Sequence, residues 1–503
     1  MLASLRTAAV FGIDACPVHV EVDVSFGFPA FTMVGLPDAS VRESRDRVRS
    51  AIRNAGFEFP PHRITVNLAP ADVRKAGASF DLPIALGILA AQGVVERREI
   101  ADWVVLGELS LDGAIQPTRG VLPVAIAARR EGLLAILLPA ANAGEAAVVA
   151  GLNVIGVRSL GDAVAALNNP TGPGASACAP LPQAPPCRGP DLADVKGQHL
   201  ARRALEIASA GGHNLLLVGP PGAGKTMMAR RLPGILPPLS FDEALEVTAV
   251  YSVAGLLPRG TGLLTERPFR APHHTISDAA LIGGGAQPRP GEVSLAHHGV
   301  LFLDEMLEFS RHVLEGLRQP LEEGSVVVAR AARSTVFPAR IVLLGATNPC
   351  PCGFATDPAR ECRCTPQQIA RYRARLSGPL RDRVDLTVDV PALPPDLLAG
   401  EAPLGEASTV VRHRVCAARE RQHARYGDAR LRLNAELTPA LMAIHCQPDA
   451  AGRRILARAI DRLALSARAY DRVRKVARTI ADLAGAEAVA ADHLAEALQF
   501  RIP

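Results

Sequence analysis

The stretch NLLLVGPPGAGKT, residues 214–226, constrains the fold of this chain more than any other segment. Its apolar run predicts a buried strand, and the glycine-rich loop that follows ends in Lys225 and Thr226, where a helix should begin. Backbone N–H groups of such a loop surround phosphate, the lysine adds a mobile charge, and the threonine hydroxyl can ligate Mg²⁺. The sequence therefore predicts a nucleotide site formed by Gly219, Pro220, Pro221, Gly222, Ala223, Gly224, Lys225 and Thr226.

Two later apolar runs predict strands that end in polar side chains. GVLFLDE ends in Asp304 and Glu305, and RIVLLGATN ends in Asn348. Ligands collect at the carboxyl ends of strands in a parallel sheet, so these side chains should converge on the phosphate loop. We expect Asp304 to hold Mg²⁺ with its water shell, Glu305 to act as general base, and Asn348 to orient the attacking water. Together with the loop, they predict ATP hydrolysis.

The 503 residues exceed what one hydrophobic core usually supports, and proline-rich stretches suggest where the domains divide. We expect an α+β domain at residues 1–168, an α/β domain with a mostly parallel sheet at 191–390, and a helical domain at 408–503. Residues 169–190 should form a linker and 391–407 a connector.

Periodic patterns make local predictions inside these domains. PVHVEVDVSF alternates in the manner of a strand with one buried face, made by Val18, Val20, Val22, Val24 and Phe26. Residues 38–56 predict a helix, with Asp38 as its N-cap and Gly56 near its C-cap. Near the C-terminus, a core-facing helical stripe is predicted from Ile455, Leu456, Ala459, Ile460 and Leu463.

Composition and charge narrow the class of protein. The N-terminus lacks the apolar core of a signal peptide, and the run LLAILLPA is far below the roughly 20 residues needed to span a bilayer, so we expect no membrane partner. Nine unevenly spaced cysteines favour a reducing compartment, and the cytoplasm is the expected location. Residues 408–503 carry 17 Lys and Arg against 10 Asp and Glu, which fits either a polyanion partner or a solvated helical surface.

Four cysteines lie within NPCPCGFATDPARECRC, in two C-x-C pairs separated by nine residues. Four thiolates could close a tetrahedral structural zinc site and staple a loop that is too short for a core. The usual zinc spacing is C-x-x-C, so reduced free thiols and a labile disulfide remain alternatives to zinc. The candidate ligands are Cys350, Cys352, Cys362 and Cys364.

Several of these segments carry a family resemblance. GPPGAGKT, LAHHGVLFLDE, ATNPCPCG and SGPLRDRVDL resemble the AAA+ ATPases of the magnesium-chelatase-like group. PFRAPHHTISDAALIGGG, LRQPLEEG and NPCPCG resemble one branch of that group, the ComM/YifB competence-related proteins, over essentially the whole chain. The resemblance implies a multidomain α/β protein with a central AAA+ P-loop core and a C-terminal helical lid. It also implies a hexameric ring with ATP bound between subunits.

The same resemblance implies roles for further residues. Arg383 matches the arginine finger that reaches a neighbour's γ-phosphate, although the adjacent Arg381 leaves the choice between the two arginines open. Arg468 matches the lid arginine that senses nucleotide in the same subunit. The segment beside the adenine is expected to contain Val195, Gly197 and Gln198. His273, His274 and Arg270, in RAPHHTIS, could contact DNA or only pack locally. Adjacent histidines point apart, so neither this pair nor His297 and His298, in LAHHG, is well placed to share a metal ion.

The N-terminal segments RKAGASFDLPIALGILAA and LGELSLDGAIQPTRGVLPVAIAARREG resemble the peptidase domain of Lon-type proteases, a fold of ribosomal-S5 type. In that family a lysine activates a serine. Ser79 occupies the serine position, but the lysine position falls near Leu122, which offers no base. A serine without a base is a poor nucleophile, so protease activity is not expected.

The resemblance implies a DNA helicase that drives branch migration in natural transformation or homologous recombination. Single-stranded or branched DNA and recombination proteins would then be the partners. Two alternatives remain open at this point, which are a motor for metal insertion, as in magnesium chelatase, and an ATPase that remodels proteins.

Overall fold

A computed structural model describes residues 1–73, 75, 77–95, 102–169, 175–176, 189–258, 260–285, 288–330, 333–357, 360–392, 405–427, 433–463 and 465–501. The chain forms two compact units. The first unit comprises Met1–Gln183 together with Phe241–Leu264, and the second comprises Ala184–Ser240 together with Thr265–Pro503. A helical segment that follows the phosphate loop in sequence therefore belongs to the N-terminal unit. Most of the expected linker and connector lies outside the described residues.

The first unit contains a mixed eight-stranded sheet in the order β10-β9-β8-β5-β1-β2-β4-β3, with β6 and β7 as a separate antiparallel pair. Its strands are β1 Leu2–Phe11, β2 Asp14–Ser25, β3 Ala30–Val34, β4 Arg63–Ala69, β5 Trp103–Val105, β6 Glu108–Leu109, β7 Ile115–Gln116, β8 Ala135–Pro139, β9 Asn153–Val157 and β10 Ala175–Ser176. Its helices are Ala39–Asn54, Asp81–Ala91, Val121–Arg130, Ala143–Ala146, Leu160–Asn168 and Phe241–Ala254.

The local predictions for this unit hold, with one exception. The helix begins at Ala39, where the Asp38 side chain accepts a hydrogen bond from the Val41 N–H at 2.9 Å. In β2, the side chains of Val18, Val20 and Val22 are fully buried. Phe26, however, is 94% exposed, because β2 ends at Ser25 and the alternation of faces ends with it.

The helix Asp81–Ala91 is buried along its whole length, including the carboxylate at its start. Arg47 binds that carboxylate in a bidentate manner, with Nε donating to Asp81 Oδ2 at 2.7 Å and Nη2 to Oδ1 at 3.0 Å. Burial raises the pKa of Asp81, against the opposing effect of Arg47. A charge at this position is tolerated because its ionic partner is built into the adjacent helix.

The second unit contains a parallel five-stranded sheet in the order β12-β15-β18-β11-β19. Its strands, with those of two small hairpins, are β11 Leu215–Val218, β12 Phe269–Arg270, β13 Gly283–Gly284, β14 Arg289–Pro290, β15 Val300–Leu303, β16 Ser325–Arg330, β17 Arg333–Pro338, β18 Val342–Thr347 and β19 Leu386–Asp389. The helices of the core are His199–Gly211, Lys225–Ala229, Leu232–Ile235, Asp278–Ile282, Glu292–Leu295, Arg311–Gly316, Arg318–Glu323, Pro366–Arg373 and Gly378–Arg381.

The C-terminal region is helical, as predicted, and comprises Ser408–Tyr426, Pro439–His445, Ala450–Leu463, Ala467–Leu483 and Ala491–Gln499. In Ala450–Leu463, Leu456 and Ala459 are buried, but Ile460 is 40% exposed, so the predicted stripe is only partly core. The side chain of Leu463 lies outside the described residues. Mixed α/β architecture with a parallel sheet and a helical C-terminal region is thus confirmed. Within the described ranges, none of the helices combines the length and apolar character that a membrane crossing requires.

Candidate nucleotide site

The strand order places β15, β18 and β11 side by side, so the polar residues after their carboxyl ends come together. Thr226, the second residue of the helix after the phosphate loop, donates its hydroxyl to Asp304 Oδ2 at 2.7 Å. A hydroxyl and a carboxylate at this distance offer two of the oxygen ligands that Mg²⁺ prefers. The convergence expected from the sequence is present for these two side chains.

Lys225 lies within the loop that it closes. Its ammonium donates to the carbonyl oxygens of Gly219 and Pro220 at 2.6 and 2.9 Å, and to Asn348 Oδ1 at 3.2 Å. Burial lowers the pKa of Lys225, while the charges of Asp304 and Glu305 oppose the shift. A phosphate oxygen could replace any of these three acceptors, so the lysine fits a polyphosphate ligand.

The loop backbone also fits a phosphate. Gly222 and Gly224 have φ values of +77° and +88°, which L side chains rarely adopt. A side chain at Gly222 would meet no atom of the described residues within 4 Å. At Gly219 a side chain would instead collide with the carbonyl of Val390, which follows β19. Glycine is therefore needed for different reasons at these positions. Gly222 and Gly224 adopt a turn conformation, whereas Gly219 packs closely against Val390.

Glu305 has an unusual backbone, with φ +49° at a residue that is not glycine. Its N–H donates to Asp304 Oδ1 at 3.0 Å, and its carboxylate is 57% exposed. His274 Nδ1 stands 3.8 Å from Glu305 Oε2. This contact joins the segment after β12 to the end of the neighbouring strand β15, so no local sequence pattern predicts it.

The segment expected beside the adenine precedes the helix His199–Gly211. Val195 is fully buried, and Gly197 has φ +62°. Gln198 donates from Nε2 to the carbonyl of Pro391 at 2.7 Å, one residue beyond the Val390 carbonyl that packs on the phosphate loop. The predicted base-side and phosphate-side segments therefore adjoin the same short piece of chain.

The four cysteines of the NPCPCG loop form a cluster. Their Sγ atoms all lie within 4.8 Å of one another, with separations of 3.3 Å for Cys350–Cys352, 3.7 Å for Cys350–Cys362 and 3.6 Å for Cys352–Cys362. These distances exclude a disulfide in this structure, since bonded sulfurs lie about 2.05 Å apart. A tetrahedral ion with bonds of about 2.3 Å spaces its sulfurs about 3.8 Å apart. Cys350, Cys352, Cys362 and Cys364 could therefore hold a metal ion.

Backbone N–H groups point at these sulfurs. Cys352 Sγ accepts hydrogen bonds from the N–H groups of Phe354 and Arg363, which lower the pKa of that thiol to about 6. Cys364 Sγ accepts from the Cys352 N–H, but desolvation and the neighbouring thiols raise the pKa of Cys364 to about 12. The backbone hydrogen bonds thus stabilise the thiolate, the form that binds metals, at Cys352, whereas Cys364 would give up its proton on binding the metal.

The two arginines suggested by the resemblance lie together. Arg383 is 5% exposed, donates to the carbonyl of Pro379 at 2.6 Å and pairs with Glu322. It lines a cavity of about 200 Å³ with Glu322, Arg468, Arg472 and Lys475. None of the phosphate-loop residues lines this cavity in the described part of the chain. The structure thus brings Arg383 and Arg468 to one place and keeps Arg381 exposed.

Three family models match the chain. The model described as "Magnesium chelatase, subunit ChlI" matches residues 191–398, "Subunit ChlI of Mg-chelatase" matches residues 20–142, and "Magnesium chelatase, subunit ChlI C-terminal" matches residues 405–501.

Relatives match almost the whole chain. An uncharacterized protein of Mycobacterium tuberculosis is 47% identical over 496 residues, which are 98% of this chain and 97% of the relative. The competence protein ComM of Haemophilus influenzae is 45% identical over 505 residues, and the uncharacterized protein YifB of Salmonella typhimurium is 44% identical over 503 residues. Both of these alignments cover 99% of this chain and 97% of the relative. The chain belongs to the ComM/YifB family of magnesium-chelatase-like proteins.

Membership in this family makes the chain an AAA+ ATPase. Family membership also indicates ATP and Mg²⁺ as its ligands.

Two further relatives match only part of the chain. A Lon protease of Chloroflexus aurantiacus is 32% identical over 133 residues, which are 25% of this chain. A probable DNA helicase, MCM9 of Arabidopsis thaliana, is 28% identical over 191 residues, which are 38% of this chain.

Other candidate residues of this ComM/YifB-family chain are engaged locally. Arg270 binds Glu292 through both carboxylate oxygens at 2.6 and 2.7 Å. His273 Nδ1 lies 2.9 Å from Thr275 Oγ1. Of the second histidine pair, His297 is buried and its Nδ1 accepts the N–H of Arg340 at 3.0 Å.

The Lon-like positions can also be located. Ser79 lies in the short 3-10 helix Ala78–Phe80 that precedes Asp81–Ala91. Leu122 is fully buried, and its N–H donates to Glu145 Oε1 at 2.9 Å. Lys75, four residues before the serine, is buried and bonds to the carbonyl of Pro70.

Proposed function

We propose that this AAA+ ATPase is a ring-forming DNA motor, a hexameric helicase that drives branch migration in natural transformation or homologous recombination. One observation carries the proposal, which is the 45% identity to the competence protein ComM over 99% of this chain. The partial similarity to a probable DNA helicase points in the same direction.

The proposed hydrolysis uses residues that lie together in the second unit. Lys225 and the loop N–H groups would bind the β- and γ-phosphates, and Thr226 and Asp304 would hold Mg²⁺. The ion, when bound, supplies positive charge to the phosphate oxygens. Glu305 would take the proton of the attacking water, and Asn348 would orient that water. The contacts of Asn348 with Lys225 and of Thr226 with Asp304 support these roles.

The proposed ring gives the arginine cavity its function. Arg383 and Arg468 line one cavity, and among the described residues no member of their own chain's phosphate loop lines it. We therefore propose that both arginines serve the nucleotide of a neighbouring subunit, which revises the expectation that Arg468 senses its own. Glu322, paired with Arg383, would have to release that side chain as the neighbour's nucleotide binds.

DNA affinity would come from phosphate contacts. The basic residues of 408–503 outnumber the acidic ones by 17 to 10, which is consistent with sequence-independent binding to a polyanion. Affinity of this origin falls steeply as salt concentration rises.

A second candidate function is insertion of a metal into a tetrapyrrole, which is favoured by the family descriptions naming magnesium chelatase. The two functions differ in the molecule on which the motor acts, so they can be distinguished by what stimulates ATP hydrolysis. A DNA motor shows ATP hydrolysis that rises with forked DNA, whereas a chelatase motor shows no such dependence. Turnover that is indifferent to DNA but rises with an unfolded or assembled protein would indicate remodelling instead.

The deciding experiment measures ATP turnover with and without single-stranded or forked DNA, and then migration of a synthetic four-way junction at low and moderate salt. We expect DNA to stimulate ATP turnover. We also expect the protein to convert the junction into its branch-migration products in an ATP-dependent manner. Lys225→Ala and Glu305→Gln should abolish both. Equal ATPase rates with no DNA binding would contradict the proposal.

We further propose that the metal of the four-cysteine cluster is zinc in a structural role. The sulfur separations of 3.3 to 3.7 Å and the all-sulfur donor set favour a closed tetrahedral site. Elemental analysis of purified protein should find about one zinc per chain. A folded preparation that contains no zinc would refute this assignment.

A further inference from the structure

We propose that the four-cysteine cluster controls nucleotide affinity, because it holds the loop that carries Asn348 against the phosphate loop. This inference rests on the proposed metal site and on the proposed nucleotide site, and it adds a physical link between them. Metal occupancy would then regulate ATP binding, although the metal itself takes no part in the chemistry.

The first link is covalent. Cys350 follows Asn348 by two residues, and Asn348 Oδ1 accepts a hydrogen bond from Lys225 Nζ at 3.2 Å. Cys350 is fully buried, so this end of the cluster lies inside the unit. The position of the asparagine therefore depends on where the first cysteine is held.

The second link is a direct packing contact. Gly353 closes a tight turn, in which its N–H donates to the Cys350 carbonyl at 3.0 Å with φ +88°. A Cβ on Gly353 would lie 2.6 Å from Pro221 Cδ and 3.9 Å from Asn348 Cγ. The cysteine turn thus packs its backbone on a proline of the phosphate loop, at a point where only glycine fits.

The cluster joins the two halves of this loop. Cys362 lies ten residues beyond Cys352 in sequence, yet its sulfur is 3.6 Å from that of Cys352 and 3.7 Å from that of Cys350. One metal ion bonded to all four sulfurs would fix both halves of the loop, whereas protonated thiols make only weak contacts with one another. Removing the metal should therefore loosen the turn at Gly353 and, through Pro221, the phosphate loop.

The test measures the Kd of ATPγS without DNA, together with zinc content. Zinc removed from wild-type protein with a chelator should weaken ATPγS binding about ten-fold, and zinc returned to the protein should restore it. Cys362→Ser should lose zinc and show the same weakening. Gly353→Ala should weaken binding about ten-fold while zinc stays bound, because its methyl group displaces Pro221.

Gly427→Ala is the matched control. Gly427 also has a positive φ, +60°, but a side chain there would meet none of the described residues within 4 Å, so the variant adds a strained backbone position without the contact. Its Kd should equal that of the wild type. A Kd within two-fold of the wild-type value in either the zinc-free protein or Gly353→Ala would overturn the inference. Because DNA is absent from the assay, failure of the proposed DNA motor would leave this result unaffected.

Discussion

Thr226 is the residue through which the phosphate loop and the acidic end of β15 meet. Its hydroxyl donates to Asp304 Oδ2 at 2.7 Å, and in the proposed site it would also hold Mg²⁺. Thr226→Val keeps the shape of the side chain and removes the hydroxyl. We expect kcat for ATP to fall by about two orders of magnitude and the Mg²⁺ requirement to rise. Thr226→Ser retains the hydroxyl and should preserve most activity in the same assay; equal losses in both variants would contradict a role for the hydroxyl.

His274 lies close enough to Glu305 to compete with the attacking water for its carboxylate. The two groups are 3.8 Å apart and partly exposed, so the contact is worth no more than about 1 kcal/mol. We therefore expect His274→Ala to raise the DNA-independent ATPase rate by up to about five-fold. His312→Ala is the control and should have little effect, because that histidine is 87% exposed and lies 3.2 Å from Asp278. A lower rate in His274→Ala would mean that the histidine helps to position Glu305.

The sequence could reveal those site residues that follow a local hydrophobic pattern. It could not reveal those that depend on contacts between distant segments. The phosphate loop, Asp304 and Asn348 each follow an apolar strand, so periodicity placed them at one edge of a parallel sheet. The contacts of His274 and Gly353 arise where separate segments approach one another, and a single sequence contains no trace of such distances. At Gly353 the only signal was a glycine within NPCPCG, which predicts a turn but not its contact with Pro221.

The helix Asp81–Ala91 depends on one ion pair that crosses between elements. Asp81→Ala removes the partner of Arg47 and leaves the Leu109 N–H without its acceptor. We expect a local loss of about 2 kcal/mol, below the usual cost of breaking a fully buried pair, because Arg47 is 24% exposed and can turn to solvent. Hydrogen exchange of the amides of this helix should speed up accordingly.

Two variants calibrate that measurement. Asp46→Ala breaks the pair with Arg45, whose side chains are 54% and 78% exposed, and should leave exchange in Asp81–Ala91 unchanged. The double variant Arg47→Met, Asp81→Leu replaces the pair by apolar groups and should recover much of the protection. If Asp81→Ala exchanged no faster than Asp46→Ala, the ion pair would not stabilise the helix.

At the level of elements, capping residues and hydrophobic periodicity predicted where a helix begins and which face of a strand is buried. They did not predict to which unit a helix belongs. Asp38 and the valines of β2 gave a helix start and a strand face that the structure confirms. The helix Phe241–Ala254 follows the phosphate loop in sequence, yet it belongs to the first unit. There the N–H of Gly120 donates to the carbonyl of Ser252 at 3.2 Å, and the Ser252 hydroxyl donates to buried Glu145. These partners lie more than 100 residues away along the chain, beyond the reach of local patterns.

For the whole molecule, the sequence indicated the family and the parallel sheet, because both depend on long motifs. It did not indicate that Arg383 and Arg468 share a cavity with Glu322, since that cavity forms between a short helix after β18 and the helical C-terminal region. Lys225 is not among the described residues that line this cavity, which is the structural reason to propose that the arginines act between subunits.

Mixing inactive subunits tests that proposal. Lys225→Ala should lack phosphate binding, and Arg383→Ala should bind nucleotide but lack hydrolysis, so each variant alone should be inactive. In an equimolar mixed ring, a site works where a chain with intact Lys225 meets a neighbour with intact Arg383. If neighbours are chosen at random and sites act independently, this occurs at about one quarter of the interfaces, so about a quarter of wild-type turnover should return. Arg468→Ala in place of Arg383→Ala should show the same recovery. Mixtures that stay inactive, although native mass spectrometry shows mixed rings, would mean that the arginines serve the nucleotide of their own chain.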